Sequence, residues 1–367
     1  MPLLWSSLSV KVTPTATSPS LPLVHLWLDR SGSCPLSLAL THDDEENWAD
    51  DGSDVAAQVL EFFAVYWRRW RHYRICLPDP CPGYPITMLP EAGPPLLKSL
   101  CLQIGGDLTA DEVEVVAANI TSAPSLSHLT WGHFYYDLDE KDVPWSQLTY
   151  LRLDCDVPVQ AACRLLQLCT NLATWHIDGI STERERTPGP VLPERAPLHV
   201  HQTALRTLSV RASLAPFFNR LTLPGLRELS VVSDDSVPIR GAAASSNAQH
   251  LLAFLTRSRC PLDTLALDIA GFDADALIAC LHVLSASLVT LDVQNDTGLL
   301  FSVDAVVAAL ARPGFAPGAA HVCPALARIT FGPGIAATRT LVDAMIASRA
   351  ESRDAGAGRL VVDFTAA

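Results

Sequence analysis

The hexad Leu148-Thr149-Tyr150-Leu151-Arg152-Leu153 has the form Leu-x-x-Leu-x-Leu, which decides the fold because it returns along the chain. Other copies span 97–102, 126–131, 172–177 and 326–331, more begin at Leu205, Leu226, Leu262 and Leu288, and 359–364 is a degenerate last copy. Their first leucines lie 21 to 38 residues apart, which overlaps the upper end of leucine-rich-repeat lengths. The sequence therefore predicts a chain of stacked repeats.

The pattern within each repeat predicts one strand followed by one helix. The last three positions of a hexad alternate apolar, polar and apolar, as in a short strand with one buried face. Apolar residues at helical spacing follow in 247–256 and 273–284, and Thr109, Ser302 and Thr340 are candidate N-caps of further helices. Such units bury a core only by stacking. We predict an α/β fold, an irregular leucine-rich-repeat-like solenoid with a curved parallel sheet and helices on its convex side.

The hexad divides the chain into two parts. Residues 1–94 lack it and are interpreted as an N-terminal α/β capping region, whereas residues 95–367 are interpreted as the solenoid. In the cap we expect helices over 21–28 and 55–66 and strands over 35–40 and 75–77, with the basic aromatic run 67–74 at the end of the second helix. The acidic stretch 43–54 and the longer inter-repeat segments 181–200, 233–249 and 312–320 are predicted to be loops.

Composition restricts the class of partner. The chain has 49% hydrophobic residues, enough for a large core, and its 26 Lys and Arg against 39 Asp and Glu give a net charge of −13. This charge repels phosphate backbones and anionic lipid, so we expect no nucleic-acid and no membrane partner. No targeting or spanning segment is recognisable, so we expect a cytoplasmic or nuclear protein whose ten cysteines are reduced.

Three stretches of the N-terminal region resemble a known family. They are 4–8 (LWSSL), 28–38 (LDRSGSCPLSL) and 70–73 (WRHY), the last before a predicted strand. They are similar to the segments that follow the F-box in the F-box and leucine-rich-repeat-like proteins of mushroom-forming fungi. The resemblance runs through the chain in order, although these stretches alone are specific to the family.

The resemblance implies a role in substrate recognition. In that family the solenoid holds a target while the F-box binds the Skp-type adaptor of a cullin-RING ubiquitin ligase. The expected F-box is lacking here, since Trp5 lies where sequence after the box normally starts. We therefore expect a Skp-type adaptor as partner only if an F-box is supplied upstream.

No motif predicts a cofactor, a metal site or catalysis. The cysteines form no Cys-x-x-Cys pair, and Cys163 and Cys169 are interpreted as buried apolar residues. No Gly-x-Ser-x-Gly elbow is present, and Gly332-Pro333-Gly334 lacks the lysine of a phosphate loop. The basic run 67–74 could contact nucleic acid, but we interpret it as structural, with Trp70 and Tyr73 packed inside. We expect no enzyme, and a hydrolase of unknown class would need a clustered nucleophile and base.

The candidate site is the polar side of the predicted strands. Stacked hexads should align these side chains in rows on the concave side of the sheet, about 4.8 Å apart. The predicted partner-binding residues are Arg152, Asp154, His176, Asp178, Arg211, Asp268 and Asp292. They form a mixed patch with an acidic excess, suited to hydrogen bonds with basic side chains of a protein target.

Two functions follow from this surface. The first is a non-enzymatic protein-interaction solenoid that resembles the substrate-recognition region of an SCF-type ubiquitin ligase receptor. The alternative is a freestanding repeat scaffold that binds a protein partner with no link to ubiquitin.

Overall fold

The computed structural model describes residues 1–13, 16–42, 52–77, 93–104, 123–132, 143–181, 199–212, 217–232, 242–268, 272–295, 301–311, 322–352 and 360–364. The chain forms two compact units. Unit 1 comprises Met1–Asp156 with Leu168–Leu172, and unit 2 comprises Val157–Gln167 with Ala173–Ala367. The fold is α/β: the described residues contain seven α-helices and, in each unit, a mostly parallel sheet of seven strands.

Unit 1 has a sheet in the order β2–β1–β3–β4–β5–β6–β7. The strands are β1 (Ser7–Val12), β2 (Thr17–Ser18), β3 (Leu36–His42), β4 (Trp70–Leu77), β5 (Ser99–Ile104), β6 (His128–Trp131) and β7 (Tyr150–Pro158). Helices α1 (Leu21–Arg30) and α2 (Gly52–Val65) pack against β1. Every neighbouring pair is parallel except β1 and β2, so a two-residue antiparallel strand covers the edge of the sheet.

Unit 2 has a parallel sheet in the order β8–β10–β12–β13–β14–β16–β18. The strands are β8 (Thr174–Ser181), β10 (Thr207–Ala212), β12 (Glu228–Val232), β13 (Thr264–Asp268), β14 (Thr290–Gln294), β16 (Arg328–Phe331) and β18 (Val361–Phe364). The helices are α3 (Val159–Leu168), α4 (Ala242–Ser258), α5 (Ala274–Val283), α6 (Asp304–Ala311) and α7 (Arg339–Ser352). Two short parallel pairs join β9 (Val200–His201) to β11 (Leu221–Thr222) and β15 (Phe301–Ser302) to β17 (Ile335–Ala336).

The leucine hexads lie side by side, as predicted. In unit 1 the register aligns Leu100 with Leu129 and Leu129 with Leu151. In unit 2 the same hexad position aligns along five strands, through Leu208, Leu229, Leu265, Leu291 and Ile329. All of these side chains are buried, so each unit has a continuous apolar row on one side of its sheet.

A tight turn precedes most of the hexads and fixes where their strands start. The N–H of the first leucine donates to the carbonyl three residues earlier, at 3.3 Å for Leu126, 3.2 Å for Leu226 and 3.0 Å for Leu326. The carbonyl of the second position then accepts two N–H groups of the next repeat, as Arg227 accepts from Asp263 at 2.7 Å and Thr264 at 3.0 Å. The first leucine is therefore a turn residue as well as a core residue.

Aromatic side chains join the buried side of each sheet to its helices. In unit 2, Trp175 of β8 contacts Phe217, with ring centroids 6.2 Å apart. Phe217 contacts Phe218, and Phe218 contacts Phe254 of α4. In unit 1, Phe63 of α2 lies edge-on to Tyr73 of β4. All of these rings are buried, so the core of each unit lies between helices and sheet.

The predicted helices within the described residues are confirmed, with differences at their ends. Helix α2 begins at Gly52, inside the stretch predicted as an acidic loop, and the predicted cap Ser302 lies in β15, two residues before α6 begins at Asp304. Asp273, the first residue of the predicted segment 273–284, is the N-cap of α5, and its carboxylate accepts the N–H of Ala276 at 2.7 Å. Helix α4 begins at Ala242, five residues before the predicted segment. The predicted cap Thr340 is wrong, because α7 begins at Arg339 and Thr340 lies inside its first turn. The predicted cap Thr109 lies outside the described residues, as do most of the predicted loops.

The N-terminal strands continue the parallel pairing of the hexads. Ala39 of β3 is in register with Arg74 of β4, and Arg74 is in register with Cys101 of the first hexad. Strand β4 begins at Trp70, so the prediction that 67–74 ends a helix is wrong. A register shift between β3 and β4 leaves Arg71 as an extra residue, which lets both Trp70 and Tyr73 point inward with stacked rings 3.9 Å apart.

Candidate protein-interaction surface

Each unit presents a polar face, defined as the strand side chains that alternate with the buried leucines. In unit 1 its middle row runs through Arg74, Cys101, Thr130 and Arg152, which are register partners on successive strands. In unit 2 the corresponding row is His176, Ser209, Ser230, Ala266, Asp292 and Thr330. The predicted alignment of this row is confirmed within each unit.

Arg152 and Asp154 of β7 form an ion pair on the polar face of unit 1. Arg152 Nε lies 2.6 Å from Asp154 Oδ1, and the two side chains are 49% and 19% exposed. The second carboxylate oxygen accepts from Gln103 Nε2 of β5 at 2.5 Å, which joins two strands separated by β6. This is possible because Gly132, the residue directly after β6, occupies the intervening position, where a Cβ would lie 3.0 Å from the Gln103 Cα. Asp154 is therefore less available to a partner than the sequence suggested.

The same hydrogen-bond network contains two thiols. Arg74 Nε donates to Cys76 Sγ at 3.1 Å, and Gln103 Oε1 accepts from Cys76 at 2.9 Å and from Cys101 at 3.7 Å. The hydrogen bond from Cys101, followed by that from Arg74, lowers the pKa of Cys76 below its usual range. The same pairing, reinforced by burial, raises the pKa of Cys101. The two thiols are therefore chemically distinct.

His176 and Asp178 lie on β8, and Arg211 lies on the neighbouring strand β10. Arg211 Nε is 3.8 Å from Asp178 Oδ1, and the two side chains are 53% and 63% exposed. A pair this open contributes at most about 1 kcal/mol, so exchanging it for a partner's charges costs little. His176 is half-buried and lies in the middle row, next to the row that contains Asp178 and Arg211. The structure thus brings these three predicted residues together.

Asp268 is a correction to the predicted surface. It occupies a polar-face position on β13, in register with Gln294, but is only 3% exposed. Asp292 remains half-exposed and accepts from Gln294 Nε2 at 2.5 Å. The Gln294 side chain lies over Gly332, where a Cβ would meet its Oε1 at 1.9 Å. Asp268 is therefore removed from the interaction surface, and Asp292 is retained.

Three members of the unit 1 network, Arg74, Cys76 and Gln103, are absent from the predicted partner-binding residues. The first two lie in the region interpreted as a cap, so they were not aligned with the hexads. The signal was present in Arg74-Ile75-Cys76-Leu77, whose polar and apolar residues alternate as in the end of a hexad.

The structure also locates the cysteines and the basic run that the sequence singled out. Cys163 and Cys169 are fully buried, as expected. Arg69 of the basic run is tied to the α1–β3 turn, donating to the Cys34 carbonyl at 2.9 Å and to Ser31 Oγ at 2.5 Å. The described part of the chain contains no group of three or more His, Cys, Asp or Glu residues placed to hold a metal ion. Among its helices, none is both long and apolar enough to span a bilayer.

Comparisons with known proteins identify no family. No family model matches the chain, and no curated protein matches it. A crystal structure of a Bacteroides fragilis protein, a Northeast Structural Genomics Consortium target, is similar to 74% of this chain at 13% identity with a TM-score of 0.40. The match spans 66% of that protein's chain.

Proposed function

We propose that the chain is a non-enzymatic protein-interaction solenoid of the leucine-rich-repeat type, which binds a protein target on its polar face. We further propose that it serves as the substrate-recognition region of an SCF-type ubiquitin ligase receptor, in the cytoplasm or nucleus. The first proposal is carried by the register of the hexads, and the second by the resemblance of the N-terminal stretches to F-box proteins.

The register supports a binding role because it produces an ordered polar surface. Parallel strands hold their side chains at fixed spacing, so a partner meets a rigid array instead of flexible loops. Ser209, Ser230 and Thr330 supply small hydroxyl groups between the charged positions, which lets a partner approach the strands closely. Rigid presentation reduces the entropy lost on binding.

The charges of the unit 2 face favour a basic target. Its described strands contribute to this face the acidic residues Asp178, Glu228, Asp292 and Asp363 and the basic residues Arg211 and Arg328. Opposite charges across an interface raise association rates and select partners more than they increase affinity. We therefore expect a target segment rich in lysine or arginine.

The Arg211–Asp178 pair provides a direct test with a matched control. The control is the Arg227–Asp263 ion pair of the same unit, with similar exposure (47% and 45%) and a 3.3 Å separation, but located in the turns before β12 and β13. The tagged full-length chain would be purified from cells that express it, as wild type, as Asp178→Ala/Arg211→Ala and as Arg227→Ala/Asp263→Ala. Quantitative mass spectrometry would then compare the proteins retained by each form.

We expect the wild type and the control to retain the same target, and the polar-face variant to lose it by about tenfold, equivalent to about 1.4 kcal/mol. If an F-box is supplied upstream of the chain in the expressed protein, a Skp-type adaptor and a cullin should co-purify with the wild type. Equal retention by all three forms would refute the polar face as the binding site. A retained target without the adaptor would refute the ligase role and favour the freestanding scaffold.

A further inference from the structure

We propose that Cys76 is a nucleophilic thiolate site on the polar face of unit 1, assisted by Arg74 and Cys101, and that it is modified by soft carbon electrophiles. This function is independent of whether the chain binds a protein target. It rests on side chains of β4, β5 and β7 that the register brings together.

The first step concerns the charge at the sulfur. A thiolate is the reactive form of cysteine, and a neighbouring cation stabilises it. Arg74 lies two residues before Cys76 on the same strand, so both side chains project from the same face. Its Nε–H donates to Cys76 Sγ at 3.1 Å, which places the positive guanidinium directly beside the sulfur.

The second step concerns the proton shared by the two thiols. The Gln103 amide is fixed by its Nε2, which donates to Asp154, so its Oε1 faces both sulfur atoms. This oxygen favours one remaining S–H, while Arg74 favours loss of the proton from Cys76. When Cys76 loses the proton that it donates to Gln103, Cys101 remains as the S–H donor to the same oxygen, and Arg74 stabilises the negative charge that forms on Cys76.

The third step excludes an internal disulfide. Cys76 is in register with Gln103, and Cys101 is in register with Arg74, so the two cysteines are offset by two residues on adjacent strands. Strand geometry then separates their Cα atoms by about 8 Å, beyond the reach of about 7 Å for an unstrained disulfide. Both cysteines are half-buried instead of enclosed in the core.

The chemical step is a nucleophilic substitution or addition at carbon. With iodoacetamide as the probe, the Cys76 sulfur donates an electron pair to the methylene carbon, the S–C bond forms, the C–I bond breaks, and iodide leaves with its electron pair. The proton on Cys101 is not consumed. No oxidant or reductant is needed.

The test measures carbamidomethylation of Cys76 in the folded full-length chain between pH 5.5 and 9, by quantitative peptide mass spectrometry. The reference is the same residue in the chain unfolded in urea. We expect the pH midpoint of the reaction in the folded chain to lie at least one pH unit below that in urea, whatever the absolute rates. A folded midpoint at or above the unfolded one would overturn the proposal.

Two variants distinguish the contact between Arg74 and the Cys76 sulfur from the general effect of removing one positive charge from the chain. Arg74→Gln should slow labelling of Cys76 at pH 6.5 by about tenfold, because one pKa unit changes the thiolate fraction by that factor at pH values below the pKa. Arg71→Gln removes the same charge from an exposed position on β4 and should change the rate by less than twofold. Equal effects of the two substitutions would overturn the assignment of Arg74. Circular dichroism and thermal melts would confirm that both variants fold, and the wild-type profile tests the site without any variant.

Discussion

Several charged residues acquire roles from neighbours that are distant in sequence. Arg349, in the last turns of α7, is only 2% exposed. Its guanidinium donates to the carbonyls of Leu310 (3.1 Å), Cys323 (2.8 Å) and Val322, and so ties α7 to the end of α6 and to the turn before β16. A positive charge at the C-terminus of α6 is also favoured by the helix dipole. An arginine near a helix end gives no sign of this burial in the sequence.

We expect Arg349→Met to lower the free energy of unfolding by about 2–4 kcal/mol, because buried carbonyl groups lose their charged donor. Urea denaturation would measure the change. Arg339→Met is the matched control, since Arg339 is exposed in the first turn of the same helix, and it should stay within about 0.5 kcal/mol of the wild type. Similar stability of the two variants would show that the Arg349 contacts are not stabilising.

At the scale of single elements, the hexads and their following helices were predictable because both have strict periodicity. The alternation of leucines defines the strands, and Leu277 and Leu281 define one face of α5. Strand β1 was missed because its Ser-Leu-Ser-Val-Lys-Val alternation stands alone before the repeats. The early start of β4 depends on a bulge, which sequence periodicity does not reveal.

The turns before the hexads are a second element that the leucine pattern did not reveal. In the turn before β12, a Cβ on Gly225 would lie 2.2 Å from the backbone oxygen of Thr203 in the preceding repeat. The corresponding position before β16 is Ala325, which is exposed. The turns therefore differ in how closely they approach their neighbours.

We expect Gly225→Ala to destabilise unit 2 by about 2 kcal/mol, because the contact involves backbone and one of the two turns must move. Ala325→Gly is the control and should cost about 1 kcal/mol or less, the usual conformational effect of glycine. Thermal melts of both variants would compare them. A melting temperature for Gly225→Ala equal to that of the wild type would contradict the close approach of the two turns.

At the scale of the whole molecule, sequence identified the α/β class and the rows but not the compact units. The boundary near residue 156 falls inside β7, in a hexad repeat like any other, so no change of composition marks it. The burial of Asp268 was equally invisible, because alternation alone assigns it to solvent. Both properties depend on packing beyond the single repeat.

Inside and outside positions of one strand should respond differently to substitution. Leu151 is fully buried, so Leu151→Asp places an uncompensated charge in the core and should cost about 4 kcal/mol or more. Hydrogen exchange should then increase in β5, β6 and β7 together. Asp154→Ala removes the acceptor of Gln103 and should cost about 1 kcal/mol. Greater destabilisation by Asp154→Ala than by Leu151→Asp would mean that the faces are assigned in reverse.

Disulfide trapping tests the alignment of the hexads most directly. Ser209 and Ser230 are register partners on β10 and β12, and adjacent strands lie about 4.8 Å apart, within disulfide reach. Ser230 and Thr264 lie two residues out of register, because Glu228 is the partner of Thr264. After mild oxidation, peptide mass spectrometry should find the crosslink in Ser209→Cys/Ser230→Cys and none in Ser230→Cys/Thr264→Cys. A crosslink in the second variant and its absence in the first would contradict the ladder of hexads and the polar face built on it.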